Sequence, residues 1–92
     1  MPSFEWDDQK ESLNILKHGV SFAEAQRVFA DPSYLVYRDD DHSGVEERYY
    51  AIGRVEAGIV TVRFTYRRGK IRIFGAGLWR DGRRLYEKEN RL

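Results

Sequence analysis

With 92 residues and no cysteine, the chain is sized for one domain and carries neither a disulfide framework nor a thiolate metal site. Hydrophobic residues at 41% against charged residues at 34% favour a folded chain, and the 14% aromatic share thickens a core that so short a chain builds with difficulty. The N-terminal run MPSFEWDDQKES is acidic and broken, and no apolar run approaches the roughly 20 residues of a membrane span; the expectation is a cytoplasmic chain with no signal peptide and no membrane partner.

A first helix is expected from Asp7 or Asp8, either of which can accept from free first-turn N–H groups, with Glu11 as the acidic end of a capping box. Leu13, Leu16 and Ile15 would supply its buried stripe. Lys17 and His18 suit the negative end of the helix dipole, and Gly19 the left-handed position after it. Ser21-Phe22-Ala23-Glu24 is a capping-box pattern opening a second helix, with Phe22, Ala25, Val28 and Phe29 on one side and Asp31-Pro32 as its stop. The periodicity then changes to two. Tyr34–Tyr37, Arg48–Arg54, Ile59–Arg67 and Lys70–Phe74 read as four strands, with an acidic loop over 39–47 and a turn at Arg68-Gly69. Arg83–Asn90 reads as a final helix. The expected architecture is α+β: two N-terminal helices packed on a four-stranded, mainly antiparallel sheet, then a C-terminal helix, all within one domain spanning 1–92.

The net charge of +1 conceals an asymmetry. Residues 1–47 hold 4 Lys/Arg and 11 Asp/Glu, and residues 48–92 hold 12 and 4. The second half therefore points to a polyanion-facing surface, unless the two halves neutralise each other in the fold. In the third strand Val60, Val62, Phe64 and Tyr66 share one face, expected to be core; Thr61, Arg63, Thr65 and Arg67 share the other. If Ile71 and Ile73 join the core, Arg72 falls beside Arg63 and Arg67 at cross-strand spacings of about 5 Å. Such a cluster suits phosphate binding, because a guanidinium offers a planar fork of donors and keeps its charge. The competing reading is that Asp39–Asp41 or Glu46–Glu47 pair with it.

RNA cleavage requires little beyond an acid, a base and anion stabilisation, since the 2′-hydroxyl is an internal nucleophile. His18 is a candidate for proton transfer or, alternatively, a helix-terminal residue satisfying carbonyls. His42 reads as a solvated loop residue. Tyr49, Tyr50 and Tyr66 read either as base-stacking groups or as packing. No metal and no cofactor are expected: the two histidines lack ligand spacing, Asp39-Asp40-Asp41-His42 lacks the spacing of a calcium loop, and the glycines at 75, 77 and 82 form no phosphate-binding fingerprint.

Several ordered segments resemble one family. Phe4-Glu5-Trp6-Asp7, Asn14 through Phe22, Ala25 and Val28-Phe29-x-Asp31-Pro32 look like the N-terminal pattern of the BrnT toxins. Glu46 through Arg54, Phe64-Thr65-x-Arg67 and Ile71-Arg72-Ile73 resemble its later strands. The resemblance implies a RelE-like fold, a translation-arresting ribonuclease and neutralisation by a BrnA-type ribbon-helix-helix antitoxin in a two-plus-two complex that meets DNA only through the antitoxin. It departs at Ile73-Phe74-Gly75-Ala76-Gly77-Leu78-Trp79-Arg80, where the family ending is similar to I-S-A-R and Gly77 stands in place of an arginine. Arg80 or Arg83 would then supply the missing guanidinium, and Trp79 would stack on a base or cover the core. The expected catalytic set is Arg63, Arg72, Arg80 and His18, with Arg48, Arg67, Arg83 and Trp79 binding RNA phosphates and bases. The alternative is an RNA- or antitoxin-binding module of the same fold with weak turnover.

Overall fold

A computed structural model describes residues 2–92. The elements run β1 (Phe4–Trp6), α1 (Asp8–His18), α2 (Phe22–Ala25) continued by a 3-10 turn (Gln26–Ala30), β2 (Leu35–Arg38), a 3-10 turn (Asp40–His42), β3 (Arg48–Val55), β4 (Gly58–Arg67), β5 (Lys70–Gly77) and α3 (Arg80–Glu89). The sheet has five strands in the order β1-β5-β4-β3-β2. The α+β class is as expected, but the sheet is mixed and larger than the four strands read from the sequence. The added strand β1 runs parallel to β5, with Phe4 opposite Ile71 and Trp6 opposite Ile73. Only three residues long, it shows no alternation that a sequence reading could detect.

The helix starts follow local chemistry. Asp7 is the N-cap of α1 and accepts from the Gln9 and Lys10 N–H groups at 2.8 and 3.1 Å. Gly19 closes α1 with a left-handed φ of 71°. Ser21 caps α2 by accepting from the Glu24 N–H at 3.0 Å. Glu11 serves the next helix instead of its own: its carboxylate accepts from the N–H groups of Phe22 and Ala23.

The stripe expected on α1 is not buried. Leu13, Ile15 and Leu16 are exposed, and Asn14 is the buried residue of the helix. Asn14 donates from Nδ2 to the carbonyls of Val20 and Ala76 at 2.9 and 2.8 Å, and its Oδ1 accepts from the Ala76 N–H at 3.2 Å. The end of α1 is thus fastened to β5 by an amide rather than by leucines. Such a bond needs both its groups satisfied in a buried place, which makes one Asn more specific than several leucines.

The two sheet faces are covered differently. On one, α2 and its 3-10 continuation bury Val20, Phe22, Ala25 and Val28 against Val60, Val62, Phe64, Ile71 and Ile73. The other carries a smaller core in which Tyr86 and Leu85 of α3 meet Ile52 and Ile59. Gly82 lets α3 lie directly on β4, because a Cβ there would collide with Thr61 Oγ1. The face that reads as polar in the sequence is therefore half core, and α3 begins at Arg80 rather than Arg83. Tyr66, expected in the core, is exposed at the far end of β4, where it leans edge-on against Tyr49 and Phe64.

Strand β5 runs on past Phe74 to Gly77 because a bulge absorbs one residue. Arg63 pairs with Gly75 while Phe64 pairs with Ile73, leaving Phe74 as the extra position. Two residues on from Arg72, Phe74 lies on the α3 face of the sheet, beside the arginines, and the bulge brings Gly75 onto the same face opposite Arg63.

Candidate active site

The open half of the α3 face begins where α3 stops covering it. Arg63 lies there, on β4 opposite Tyr50 of β3 and Gly75 of β5. Its aliphatic stem crosses Gly75: a Cβ at that glycine would stand 3.4 Å from Arg63 Cδ. The guanidiniums of Arg48 and Arg63 approach the Phe74 ring, at 4.5 and 5.7 Å from its centroid. An aromatic face attracts cations without neutralising them, so Phe74 gathers two positive charges without taking up their hydrogen-bond donors.

Two hollows adjoin Arg63 and share it, together with Trp79, as lining. The first, of about 250 Å³, is completed by Lys10, Asn14, Lys17, His18 and Phe74. The second, of about 280 Å³, is completed by Asp39, His42, Tyr50, Thr61 and Asp81. Trp79 is placed by Gly77: its indole carbons lie where a Cβ at Gly77 would be, as close as 2.6 Å. The same indole meets the His18 ring edge-on, 5.1 Å between centroids. The absence of a side chain at 77 thus makes room for an indole that packs on the histidine.

The expected site residues divide into groups. Arg63, His18 and Trp79 come together, with Arg48 joined to them through Phe74. Arg67 and Arg72 lie further along the same face, each with an acid. Arg67 donates to both carboxylate oxygens of Glu46 at 3.1 Å, and Arg72 donates to Glu5 at 2.9 Å. The Arg72 hydrogen bond holds the Glu5 carboxyl below the usual carboxylate range. Arg80 and Arg83 stand exposed on the first turns of α3, Arg83 ion-paired with Glu87 at 3.3 Å. The three-arginine cluster therefore becomes one central arginine with two others beyond it that are hydrogen-bonded to acids of the N-terminal half.

Phe74, Asp39 and His42 add to this set. The bulge at Phe74 has no sequence mark beyond its glycines, whereas the i, i+3 spacing of Asp39 and His42 is a visible signal. Asp39 binds the His42 ring through Nδ1 at 3.0 and 2.9 Å, and one of its oxygens lies 3.8 Å from Arg63 Nη2. Tyr50, also in this hollow, has its phenol pushed up, by burial first and then by Tyr37 and Asp39.

Comparison with known families identifies the chain. Residues 6–82 match the family described as the ribonuclease toxin BrnT of type II toxin–antitoxin systems. The chain belongs to the BrnT family. The matched span takes in α1, the whole antiparallel part of the sheet and the start of α3, and so the residues lining the two hollows except Leu85. No curated protein matches the chain significantly. Membership makes it a ribonuclease toxin by family, with an antitoxin partner and an RNA target as the counterparts of that role. Among the described residues no helix is long and apolar enough to cross a membrane.

Proposed function

We propose that this BrnT-family chain, acting as one unit over residues 1–92, is a metal-independent endoribonuclease centred on Arg63, and that it arrests translation in the cytoplasm. The observation that carries the reading is the position of Arg63. It lies between two hollows, its charge supported by Arg48 across the Phe74 ring, with a histidine and a tryptophan beside it. A guanidinium in that place binds the scissile phosphate and holds the charge that grows on its oxygens as the 2′-hydroxyl attacks. His18 transfers a proton. Trp79 offers a π-surface to a base next to the cleaved bond. Lys10 and Lys17 extend the positive lining along α1. Arg67, Arg72, Arg80 and Arg83 guide the RNA backbone towards this point, with Arg80 substituting in charge for the arginine absent at Gly77.

The inhibitor of this activity is a BrnA-type ribbon-helix-helix antitoxin in a two-plus-two complex, through which alone the toxin meets DNA. The test is incubation of the purified chain with a structured RNA in excess EDTA. Cleavage in EDTA is the expected result. No cleavage under any condition, or cleavage that EDTA abolishes, overturns the metal-independent reading.

A further inference from the structure

His42 lines the site but has no part in the chemistry proposed for Arg63 and His18, yet its surroundings are those of a working histidine. It ends the 3-10 turn Asp40–His42, and both oxygens of Asp39 lie within hydrogen-bonding distance of its Nδ1. A carboxylate on Nδ1 fixes the proton there, points the ring and leaves the Nε2 lone pair as an acceptor; it also stabilises the imidazolium formed when Nε2 takes a proton. Asp39 is itself well fixed. Its side chain is only 14% exposed, its N–H donates to the Arg48 carbonyl at 2.8 Å, and its carbonyl accepts from the Ser43 hydroxyl at 2.8 Å. The Ser43 oxygen in turn accepts from the Arg48 N–H at 2.9 Å. An acidic loop that merely solvates itself does not need this lattice. His42, by contrast, keeps its ring 57% exposed and lines the hollow beside Arg63.

The placement relative to His18 supplies the second observation. His18 lines one hollow and His42 the other, and Arg63 and Trp79 are common to both. Displacement at phosphorus runs in line, with the attacking oxygen and the leaving oxygen on opposite sides of the phosphorus. A phosphate held at Arg63 between the two hollows has one histidine for each side.

We propose that His42, oriented by Asp39, is the general base of the cleavage reaction, with His18 as the general acid. His42 Nε2 takes the proton of the ribose 2′-hydroxyl. The O2′–P bond forms, the P–O5′ bond breaks, and the departing O5′ takes a proton from His18. The products are a 2′,3′-cyclic phosphate and a 5′-hydroxyl, and no metal, oxidant or cofactor enters the balance. Asp39 is a positioning residue, joined to both His42 and Arg63. This inference rests on the reading of the chain as a ribonuclease.

The test compares two substrates: ordinary RNA and RNA carrying a bridging 5′-sulfur at the cleaved bond, which departs without protonation. On ordinary RNA, His42→Ala and His18→Ala each lower single-turnover cleavage about 10²- to 10⁴-fold. On the sulfur substrate His18→Ala regains the wild-type rate and His42→Ala stays slow. Asp39→Asn follows His42→Ala on both substrates with a smaller loss, and Asp39→Glu restores part of it. Circular dichroism and the melting midpoint check that the variants fold, and His42→Gln serves as a second replacement if the alanine variant does not. Cleavage by folded His42→Ala or His42→Gln at the wild-type rate overturns the proposal, as does rescue of either by the sulfur substrate or a slow His18→Ala on it. Wild-type protein that cleaves neither substrate contradicts the ribonuclease reading itself, which is a separate failure.

Discussion

One face of the sheet contains two regions built from the same strands and put to different uses. Under α3, Ile52, Ile59 and Thr61 are buried against Tyr86 and Gly82. A few residues along, Arg48, Arg63, Arg67 and Arg72 stand on the same face, with α1 and α3 at the rim of the hollows around Arg63. The closed end gains from burial; the open end gives it up and gathers like charges that repel. The open end survives because its charges are managed in two ways. Arg67 and Arg72 are held by Glu46 and Glu5 in direct hydrogen bonds, whereas Arg48 and Arg63 share an aromatic ring, and Asp39 stands off from Arg63 at 3.8 Å. Cations hydrogen-bonded to acids hold the fold together at its edge; cations over a ring, with an acid only at longer range, remain available to a ligand.

That contrast can be broken by substitution. Trp79→Ala removes the indole between the two hollows without touching an arginine. It is expected to weaken RNA binding by about 1–3 kcal/mol, measured as a dissociation constant at fixed salt. Unchanged affinity would mean that the open end binds RNA by charge alone. Gly82→Ala acts on the closed end. It forces α3 away from Thr61 and is expected to cost about 2 kcal/mol, read from the denaturant midpoint. A smaller change, Arg67→Ala, removes a cation already paired with Glu46, and single-turnover cleavage is expected to change by less than about fivefold.

Acid sensitivity sharpens the comparison from the closed side. Burial pushes the Asp31 carboxyl up, but the Tyr86 hydroxyl at 2.6 Å and the N–H groups of Arg54 and Ser33 donate to it, and the net effect lowers it below the usual carboxylate range. A carboxyl lowered by folding contributes stability that is present at neutral pH. That stability is lost as pH falls through the folded value. Stability against urea is therefore expected to decline as the medium is made acid below the usual carboxylate range, and Asp31→Asn to flatten that decline while lowering stability at pH 7. An equal acid slope in the variant would contradict the role of Asp31 as the link between the 3-10 turn, β3 and α3.

Much of the frame was legible because it rests on local chemistry. Asp7, Gly19 and Ser21 mark helix ends by caps that act within a few residues, and the alternation of β4 put Val60, Val62 and Phe64 into the core and Arg63 outside it. What escaped depends on distant partners. Glu5 matters because β1 sets it beside Arg72, 67 residues away in sequence, and Asn14 matters because Ala76 lies under it. Leu13 and Leu16 carry a helical apolar spacing that none of the described residues buries. In the candidate site, Arg63, His18 and Trp79 follow from residue type, strand face and resemblance. The Phe74 bulge and the seat of Trp79 over Gly77 are matters of packing, which a one-dimensional pattern does not record.

The central claim is that the arginine over the ring, and not the arginines hydrogen-bonded to Glu46 and Glu5, acts on the scissile phosphate. Single-turnover cleavage of one RNA in excess EDTA by wild type, Arg63→Ala and Arg67→Ala decides it. The account predicts cleavage by wild type, a loss of about 10²- to 10³-fold in Arg63→Ala and near wild-type cleavage by Arg67→Ala. Arg63→Ala cleaving as fast as wild type, or Arg67→Ala falling as far as Arg63→Ala, would contradict it.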